Sequence, residues 1–469
     1  MDFVSDIVEV ARAPAVPRRL DCVAVKRAAP LIASLAWAIA LPWLTGCGAG
    51  STPAVVIEFW AVGREGEVAR DLVPEFEQRN QGVRVRVQQI PWSAAHEKLL
   101  TAYAGDSMPD VFQLGNTWIS EFVALRAVEA LDARIAASSV VATEDYFPGI
   151  LASNVIEGVT YGVPWYVDTR LVFYRTDVLE RAGYAEPPRT WDAWLDAMIR
   201  IKEHEGPEKF AILLPVGEWE LPVILALQLD ANLLQDDDRH GNFQSVPFRN
   251  AFAFYLDIFR RGLAPPVGAA QVANVYQEFA SSYFSMYVSG PWNIGEFRRR
   301  LPAELRDTWA TAPLPGPGEN RPGVSLAGGA SLAIVRASEH KEAAWKLIEY
   351  LSEPAQQMAF YRLTGDLPAR RAAWRREGLT TDPYARAFWT QLKFVESTPK
   401  IPEWERIASK IAYYAEEAVR GGMTVDAALA GLDREVGDLL EKRRWLLQER
   451  EKRLGTAKDQ SGALDEGSP

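Results

Sequence analysis

Cysteine and histidine are scarce in this 469-residue chain. Only two cysteines are present, Cys22 and Cys47, which is too few for the disulfide framework of a small secreted domain. The four histidines are scattered along the chain, and no metal-binding cluster is visible among them. The sequence therefore gives no sign of a zinc site.

Short catalytic and cofactor-binding motifs are also missing. The segment HEKLL (96–100) lacks the second histidine of a zinc protease, because Leu100 stands in its place. The acidic segment DDDRHGN (236–242) lacks the twelfth ligand of a calcium loop, because Pro247 occupies that position. There is no phosphate loop, dinucleotide fingerprint or nucleophile elbow. We expect no cofactor and no metal, although the paired carboxylates of a glycosidase would leave no short motif.

Basic residues are outnumbered by acidic ones. The chain has 51 lysines and arginines against 62 aspartates and glutamates, and its formal net charge is −11. Such a surface repels polyanions, so the composition argues against a nucleic-acid partner.

Long apolar runs are missing, and the longest lies near the N-terminus. Lys26 and Arg27 precede an apolar stretch (30–43) that is too short for a comfortable membrane span. A short basic region followed by a short apolar region is typical of a secretion signal. The sequence predicts that residues 1–46 are an N-terminal extension and a signal peptide.

The four residues that follow this apolar stretch, Leu44-Thr45-Gly46-Cys47, resemble the lipobox of bacterial lipoproteins. The resemblance implies cleavage before Cys47 and attachment of lipid to its sulfur. Residues 47–53 would then form a lipidated linker, and the mature chain would have no free thiol to serve as a nucleophile.

The rest of the chain alternates between strand-like and helix-like segments. AVVIEFW (54–60), VRVRVQQI (83–90) and PDVFQL (109–114) have the pattern of strands, and helical spacing of apolar residues separates them. This alternation predicts a wound α/β lobe. A second lobe is predicted to begin with RLVFYR (170–175), and residues 451–469 are polar enough to be disordered.

One composition recurs where strands are predicted to end: an aromatic residue, a small amide or acid, and a glycine or proline. It occurs in FWAVGREGE (59–67), LGNTW (114–118), GVPWYVDTR (162–170), PVGEWE (215–220), VSGPW (288–292), SLAGGA (325–330) and TGDLPAR (364–370). In wound lobes these strand ends face the crevice in which ligands bind. A sugar offers apolar C–H faces and a rim of hydroxyls, which suit aromatic rings and directed polar side chains. The pattern therefore favours a sugar-binding cleft.

Four segments, in this order, resemble the extracellular solute-binding proteins, family 1, of ABC sugar importers, and most of all the maltose/trehalose-binding type. They span residues 75–118, 161–184, 288–292 and 344–374, and the resemblance extends over about residues 54–445. It implies an α/β type II periplasmic-binding-protein fold, in which two α/β lobes joined by a three-crossing hinge enclose the ligand.

The resemblance also implies where the lobes begin and end. Lobe 1 is expected to contain residues 54–166 with 312–352, and lobe 2 residues 167–311 with 353–450. The three crossings are expected near Tyr166–Asp168, Ala310–Pro313 and Leu351–Glu353.

Twelve ligand-binding residues follow from the same resemblance: Glu65, Asn116, Thr117, Trp118, Tyr166, Asp168, Trp219, Glu220, Trp292, Gly328, Gly329 and Arg370. From the residues alone, structural alternatives stay open for several of them. Glu65 has the alternative of a solvated loop acid, Asp168 of a helix cap and Trp219 of core packing. For Trp292 the alternative is also packing in the core. For the two glycines it is a simple strand bulge, and for Arg370 it is a surface salt bridge.

The implied function is that of a bacterial lipoprotein of the periplasm or cell envelope. It would capture a disaccharide or short oligosaccharide such as maltose or trehalose and deliver it to the membrane subunits of an ABC permease. It would be a monomer without enzymatic activity, held at the membrane by the lipid at Cys47, and would meet the ATPase subunits only indirectly. Two alternatives remain: a secreted carbohydrate-active hydrolase, and the same fold with a non-sugar polar solute such as glycerol phosphate or a polyamine.

Overall fold

The computed structural model describes residues 54–376 and 378–465. The predicted signal peptide, the linker and the predicted lipidation residue Cys47 lie outside the described residues.

Sixteen strands are described. They are β1 (Val55–Val62), β2 (Val83–Ile90), β3 (Val111–Gly115), β4 (Val155–Ile156), β5 (Val159–Thr160), β6 (Val163–Asp168), β7 (Leu171–Arg175), β8 (Phe210–Leu213), β9 (Leu234–Gln235), β10 (His240–Gly241), β11 (Phe284–Ser289), β12 (Trp309–Ala312), β13 (Ser325–Leu326), β14 (Gly328–Ile334), β15 (Leu367–Pro368) and β16 (Val395–Glu396).

Helices connect and cover these strands. They are α1 (Gly63–Arg79), α2 (Trp92–Ala104), α3 (Ile119–Ala124), α4 (Asp132–Ala137), α5 (Pro148–Ser153), α6 (Thr176–Arg181), α7 (Trp191–Glu205), α8 (Glu220–Gln228), α9 (Val246–Arg260), α10 (Val275–Ala280), α11 (Trp292–Arg300), α12 (Lys341–Ser352), α13 (Pro354–Thr364), α14 (Arg371–Arg376), α15 (Ala385–Gln391), α16 (Trp404–Val419), α17 (Val425–Leu439) and α18 (Glu441–Asp465). Single 3₁₀ turns lie at Asn116–Trp118, Thr143–Asp145, Ala269–Gln271 and Ala303–Leu305.

Lobe 1 is built on a mixed six-stranded sheet with the order β15-β6-β14-β3-β1-β2. β1 is parallel to β2 and β3, whereas β14 is antiparallel to β3 and β6. All five residues of the central strand β3 are buried, as expected where helices cover both faces of a sheet. The edge strand β2 exposes Arg84 and Arg86, and such charges protect an open edge from pairing with other chains.

Lobe 2 is built on a four-stranded sheet with the order β12-β7-β11-β8. β7 is antiparallel to β11 and β12, and β11 is parallel to β8. Thr190 caps α7, because its Oγ1 accepts a hydrogen bond of 3.2 Å from the Ala193 amide. Trp191 and Trp194 of this helix are buried in the core of lobe 2. The predicted two-lobed α/β fold is confirmed.

The chain crosses between the two sheets where β6 leads into β7 and again where β12 leads to β14. These crossings lie at or directly beside the predicted positions. The third expected crossing, at Leu351–Glu353, is wrong. β15 still pairs with β6 of lobe 1, so residues 353–368 belong to lobe 1 and not to lobe 2. The chain turns at Pro354 into α13, which packs against α1, and it reaches the sheet of lobe 2 only with α15.

A small hinge element lies beside the first crossing. β13 lies on the second crossing, between β12 and β14, and it pairs in parallel with β16, which lies nearer the C-terminus. Ser325 Oγ accepts a hydrogen bond of 3.1 Å from the Arg170 amide and donates one of 2.8 Å to the Arg170 carbonyl. This contact ties the first and second crossings together.

The C-terminal part of the chain ends in the long helix α18. It continues to Asp465, so the structure has a helix where the polar composition suggests disorder from residue 451. Nine of the fifteen residues 451–465 are glutamate, lysine, arginine, glutamine, alanine or leucine, which all have high helix propensity. Across the residues that the structure describes, no helix is both long enough and apolar enough to cross a bilayer.

Candidate functional site

A cavity of about 740 Å³ lies between the two lobes, bordered by strand ends, helix starts and the hinge. Eleven of the twelve sequence-predicted site residues line it, namely Glu65, Asn116, Thr117, Trp118, Tyr166, Asp168, Trp219, Glu220, Trp292, Gly328 and Gly329. The structure thus brings together residues that lie more than 260 positions apart in the chain.

Trp292 lines the cavity from the first turn of α11. Its ring lies back over Gly290, where a Cβ atom would come within 1.9 Å of the ring. Only glycine at position 290 leaves room for this arrangement. The Arg170 guanidinium stands over the same ring, 4.8 Å from its centroid, in cation–π geometry. The ring is therefore partly buried and held by two neighbours, with its remaining surface toward the cavity.

Glu65 is not a solvated loop acid but a buried residue in the first turn of α1, with 6% of its surface exposed. Its Oε1 accepts a hydrogen bond of 2.8 Å from the Tyr166 hydroxyl and one of 3.3 Å from Trp92 Nε1. Gln113 of β3 donates to the Tyr166 oxygen at 3.1 Å and fixes its position in turn. Burial raises the pKa of Glu65, although these hydrogen bonds and one from the backbone oppose the rise.

Asp168 ends β6 and belongs to an ion-pair network, so it does not serve as a helix cap. Arg170 places its NH1 2.8 Å from each carboxylate oxygen of Asp168 and its NH2 3.0 Å from Glu220 Oε1. Burial lowers the pKa of Arg170, but the charges of Asp168 and Glu220 raise it overall. Burial raises the pKa of Asp168, and Arg170 opposes that rise.

Asn116 and the two glycines are shaped by the neighbouring strands. Asn116 donates to the Gly328 carbonyl at 3.2 Å and accepts from Ser331 Oγ at 2.8 Å. Gly329 has a φ of +116°, and a Cβ there would lie 2.4 Å from the Tyr166 carbonyl. At Gly328 a Cβ would lie 2.7 Å from the Asp168 carbonyl. The glycines thus let β14 approach β6 closely while they still border the cavity.

Trp219 serves two purposes at the start of α8. It borders the cavity and also packs edge-on against the buried Trp404, with ring centroids 5.4 Å apart. Core packing and cavity lining are thus combined in this one ring.

Arg370 is the predicted site residue that does not reach the cavity. Its Nε donates to Asp145 Oδ2 at 2.9 Å, and its NH1 donates to the carbonyls of Val140 and Ser352 at 2.5 and 3.1 Å. The prediction that it binds ligand is wrong because its guanidinium is occupied by contacts within lobe 1. The alternative of a surface salt bridge is also wrong, since the ion pair is buried.

Several cavity residues were not predicted from the sequence. They include Arg64, Trp92, Arg170, Tyr276, Asp366 and Glu405. Arg64, Arg170 and Asp366 lie inside motifs that the sequence singles out. Trp92, which begins α2 two residues after β2 ends, is an aromatic residue in a similar position. Glu405 lies in α16, outside the seven motifs at strand ends, so no local pattern singles it out.

Glu405, in the C-terminal third of the chain, lines the cavity beside the wall that lobe 1 forms. Burial raises the pKa of Glu405, and hydrogen bonding by Thr117 and the charge of His96 oppose the rise. Ser120 Oγ of lobe 1 donates to the Ile401 carbonyl at 2.9 Å, just before α16 begins. This side of the cavity is therefore bridged by contacts between the lobes.

The arrangement is suited to holding a polar solute that has apolar faces. Indole and phenol rings stand beside carboxylates whose positions are fixed by hydrogen bonds and ion pairs. Among the residues that the structure describes, no group of histidine, cysteine, aspartate and glutamate side chains could hold a metal ion.

Comparisons with known proteins agree with this architecture. A family model described as bacterial extracellular solute-binding protein matches residues 60–358. The structure of the sugar-binding protein MalE from Xanthomonas citri is 48% identical, with a TM-score of 0.81, and the match covers 84% of this chain and 99% of that one.

More distant relatives match over most of their length. A putative binding protein of Brucella abortus is 25% identical over 404 residues, which are 84% of this chain and 94% of the relative. The diacetylchitobiose binding protein DasA of Streptomyces coelicolor is 24% identical over 366 residues, which are 76% and 83% of the two chains. The family model covers more than half of the chain, and the two lobes enclose the cavity as expected. This chain belongs to the family of bacterial extracellular solute-binding proteins.

Proposed function

We propose that this protein is the sugar-capturing component of an ABC importer and that it delivers its ligand to a membrane permease. The observation that carries this proposal is the cavity between the lobes, in which the rings of Trp118, Trp219 and Trp292 stand beside fixed carboxylates. Flat rings match the C–H faces of a pyranose, and carboxylates accept hydrogen bonds from its hydroxyls. The similar MalE protein is described as sugar-binding, which supports the same ligand class here.

The ligand is a disaccharide or short oligosaccharide such as maltose or trehalose. A volume of about 740 Å³ exceeds what one monosaccharide needs and lies within the range of about 300–1,000 Å³ typical of small-molecule sites. Aromatic residues on several sides of the cavity allow more than one sugar ring to be stacked.

Capture works through closure of the lobes around the ligand. The sugar favours the closed arrangement because only there do both lobes contact it at once. The closed protein then presents a surface that the permease recognises, and the protein leaves its ligand chemically unchanged.

The proposal includes an anchor at Cys47 that holds a monomer at the membrane of a bacterial envelope. The lipobox-like segment Leu44–Cys47 supports this part of the proposal. Metabolic labelling with a radioactive fatty acid is expected to mark the wild-type protein and not Cys47→Ser. Equal labelling of the two would contradict the anchor without touching the ligand-binding proposal.

A thermal-shift panel of mono- and disaccharides, followed by calorimetry, tests the ligand class. A bound sugar is expected to raise the melting temperature because it binds only the folded state. Chromatography of the same sugar after prolonged incubation with the protein is expected to show it intact. Cleavage of the sugar would favour a hydrolase, and the lack of any shift across the panel would contradict a sugar receptor.

A further inference from the structure

Arg170 contacts three of the residues that the sequence predicts to bind ligand. Its NH1 lies 2.8 Å from each carboxylate oxygen of Asp168, and its NH2 lies 3.0 Å from Glu220 Oε1. Its Cζ stands 4.8 Å from the centroid of the Trp292 ring. All four residues line the cavity. One guanidinium therefore joins two carboxylates and an indole in a single wall.

The three partners of Arg170 come from both lobes. Asp168 is the last residue of β6, in the sheet of lobe 1. Glu220 and Trp292 are the first residues of α8 and α11, the helices that follow β8 and β11 of the sheet of lobe 2. The guanidinium thus connects a carboxylate of lobe 1 with two side chains of lobe 2.

The main chain of Arg170 is held at the hinge. Arg170 lies in the two-residue connection between β6 and β7, which is the first crossing. Ser325, on the second crossing, accepts a hydrogen bond of 3.1 Å from the Arg170 amide and donates one of 2.8 Å to the Arg170 carbonyl. The position of the guanidinium therefore depends on the arrangement of both crossings.

The guanidinium is suited to holding its partners without blocking them. A carboxylate has about four lone-pair sites, and the contacts with Arg170 use two on Asp168 and one on Glu220. The remaining sites can accept hydrogen bonds from sugar hydroxyls. A planar guanidinium can bridge two carboxylates and cover an aromatic ring at the same time, whereas the ammonium of lysine is a point charge without this fork.

The charge of Arg170 also separates acidic groups that would otherwise repel one another. Glu218 lines a small pocket together with Arg170 and Glu220, so a third carboxylate lies on the same side of the guanidinium. The Arg170 side chain is 18% exposed, and those of Asp168 and Glu220 are 25% and 20% exposed. Because water screens these groups only in part, loss of the cation would displace the carboxylates from their present positions.

We propose that Arg170 is the positioning residue of this wall: it holds the two carboxylates and the indole in the arrangement that receives a pyranose, and it ties that arrangement to the hinge. It acts through these three side chains and not by binding the sugar itself. The inference rests on the proposed function, since it concerns how the same cavity is prepared for the same class of ligand.

Fluorine NMR of protein labelled with 5-fluorotryptophan tests the positioning without any sugar. Trp292→Phe identifies the Trp292 resonance by its loss. We expect Arg170→Lys and Arg170→Met to shift or broaden this resonance, because neither replacement keeps a planar cation over the ring. A resonance that is unchanged in both variants would overturn the inference.

Arg175→Lys is the matched control for these spectra. The Arg175 guanidinium pairs with Asp177 through two contacts of 2.8 Å, its side chain is only 6% exposed, and it lies outside the cavity. Its replacement is expected to lower the melting temperature and to leave the Trp292 resonance in place. An equal change of that resonance in Arg175→Lys and Arg170→Lys would show a general structural effect and would contradict positioning by Arg170.

Calorimetry with maltose, or with trehalose if maltose does not bind, measures the consequence for affinity. Arg170→Met is expected to weaken binding by about tenfold or more, because it removes hydrogen bonds between charged groups, whereas Arg175→Lys should bind as the wild-type protein does. In a Trp292→Ala background the same Arg170→Met change should cost at least threefold less, since one of the side chains through which Arg170 acts is already missing. Equal losses in the two backgrounds would mean that Arg170 does not act through the ring, and they would overturn the inference.

The inference and the proposed function fail in different ways. If the wild-type protein binds a sugar and Arg170→Met binds it equally well, only the inference fails. If the wild-type protein binds no sugar, the proposed function fails, and the fluorine spectra still decide whether Arg170 positions Trp292.

Discussion

At the scale of single residues, Trp292 shows how the ring proposed to stack on a sugar is held in place. Gly290 leaves space below the ring and Arg170 covers part of it, so little rearrangement is needed when a pyranose stacks on the rest. Trp292→Ala is expected to weaken sugar binding more than tenfold while the melting temperature of the ligand-free protein stays nearly unchanged. Calorimetry measures the affinity, and Trp445→Ala is the control because that ring is 58% exposed on α18. Unaltered affinity in Trp292→Ala would remove this residue from the site.

Arg370 is a residue whose contribution is structural. The side chains of its ion pair with Asp145 are 9% and 13% exposed, and removal of one partner from a buried pair costs about 3–5 kcal/mol. Arg370→Met is therefore expected to lower the free energy of unfolding by about that amount, as measured by urea denaturation.

Arg375 provides the matched control for this prediction. It contacts the same Asp145 carboxylate at 3.4 Å, but its side chain is 61% exposed, and exposed pairs contribute about 0–1 kcal/mol. Arg375→Met should therefore have little effect. A similar loss of stability in both variants would contradict the assignment of Arg370.

Glu218 makes the stability of the protein depend on pH. Burial raises its pKa to about 7, the like charge of Glu220 adds to the rise, and Arg170 opposes it. Because the folded state holds the proton more tightly than the unfolded state, the stabilising contribution is complete below about pH 4.5 and is lost as the pH rises through about 7. Glu218→Gln should therefore stabilise the protein at pH 8, by on the order of 2 kcal/mol, and change little at pH 4.5.

Thermal and urea unfolding at the two pH values measure this effect, with Glu208→Gln as the control on an exposed acid nearby. An equal effect of Glu218→Gln at both pH values would contradict the proposed ionisation.

At the scale of elements, the strand pairing of β14 with β6 depends on Gly329. An alanine there would meet both a φ of +116° and a carbonyl oxygen at 2.4 Å. Gly329→Ala is expected to destabilise the protein by about 1–3 kcal/mol from backbone strain alone, with a further cost from the contact. It should also weaken ligand binding, because Tyr166 and Asp168 lie on the displaced strand.

Gly82→Ala separates the two contributions to this loss. Gly82 has a φ of +87°, and a Cβ atom there would have no other atom within 4 Å, so its substitution reports the backbone strain without a steric contact. Urea denaturation and calorimetry on both variants measure stability and affinity. If Gly329→Ala resembles Gly82→Ala in both, the close approach of the strands has no energetic consequence.

Elements with a strong local pattern are the ones that sequence reasoning predicts well. The alternation in VRVRVQQI (83–90) corresponds to β2, and the strand predicted at PDVFQL (109–114) overlaps β3. Arg370 was assigned wrongly because its partner Asp145 is 225 residues away, and no local pattern reports such a contact. The third crossing was misplaced because the break at Glu353–Pro354 has the same local signature whether the chain leaves the lobe or starts another helix.

The same reasoning explains the missed cavity residues. Motifs at strand ends identified most of the wall, because the carboxyl ends of strands converge in this kind of fold. Arg170 pairs with Glu220, which lies 50 residues farther along the chain, and burial and the charge of Glu65 in another element raise the pKa of Asp366. Long-range pairing of charges is therefore the part that the sequence alone left undetermined.

At the scale of the whole molecule, contacts between the lobes help to set the affinity. Lys400 lies between the hinge strand β16 and α16 of lobe 2, and its Nζ donates to two carbonyls of lobe 1, those of Ala152 at 2.7 Å and Val155 at 3.2 Å. If the ligand binds only the closed lobes, as proposed, a variant that loses this link lowers the population of the binding-competent state and with it the apparent affinity. Hydrogen bonds to a charged group are worth about 1.5–3 kcal/mol, so Lys400→Met is expected to weaken sugar binding by at least tenfold.

Calorimetry and small-angle X-ray scattering together distinguish closure from direct ligand contact. If Lys400 acts through closure, the ligand-free variant should have a larger radius of gyration than the wild-type protein, and saturating sugar should bring the two together. Lys410→Met is the control, since Lys410 pairs with Glu435 inside lobe 2 and should leave both quantities unchanged. A loss of affinity in Lys400→Met without a change in radius would mean that Lys400 contacts the sugar itself, and unchanged affinity would mean that its two hydrogen bonds contribute nothing to closure.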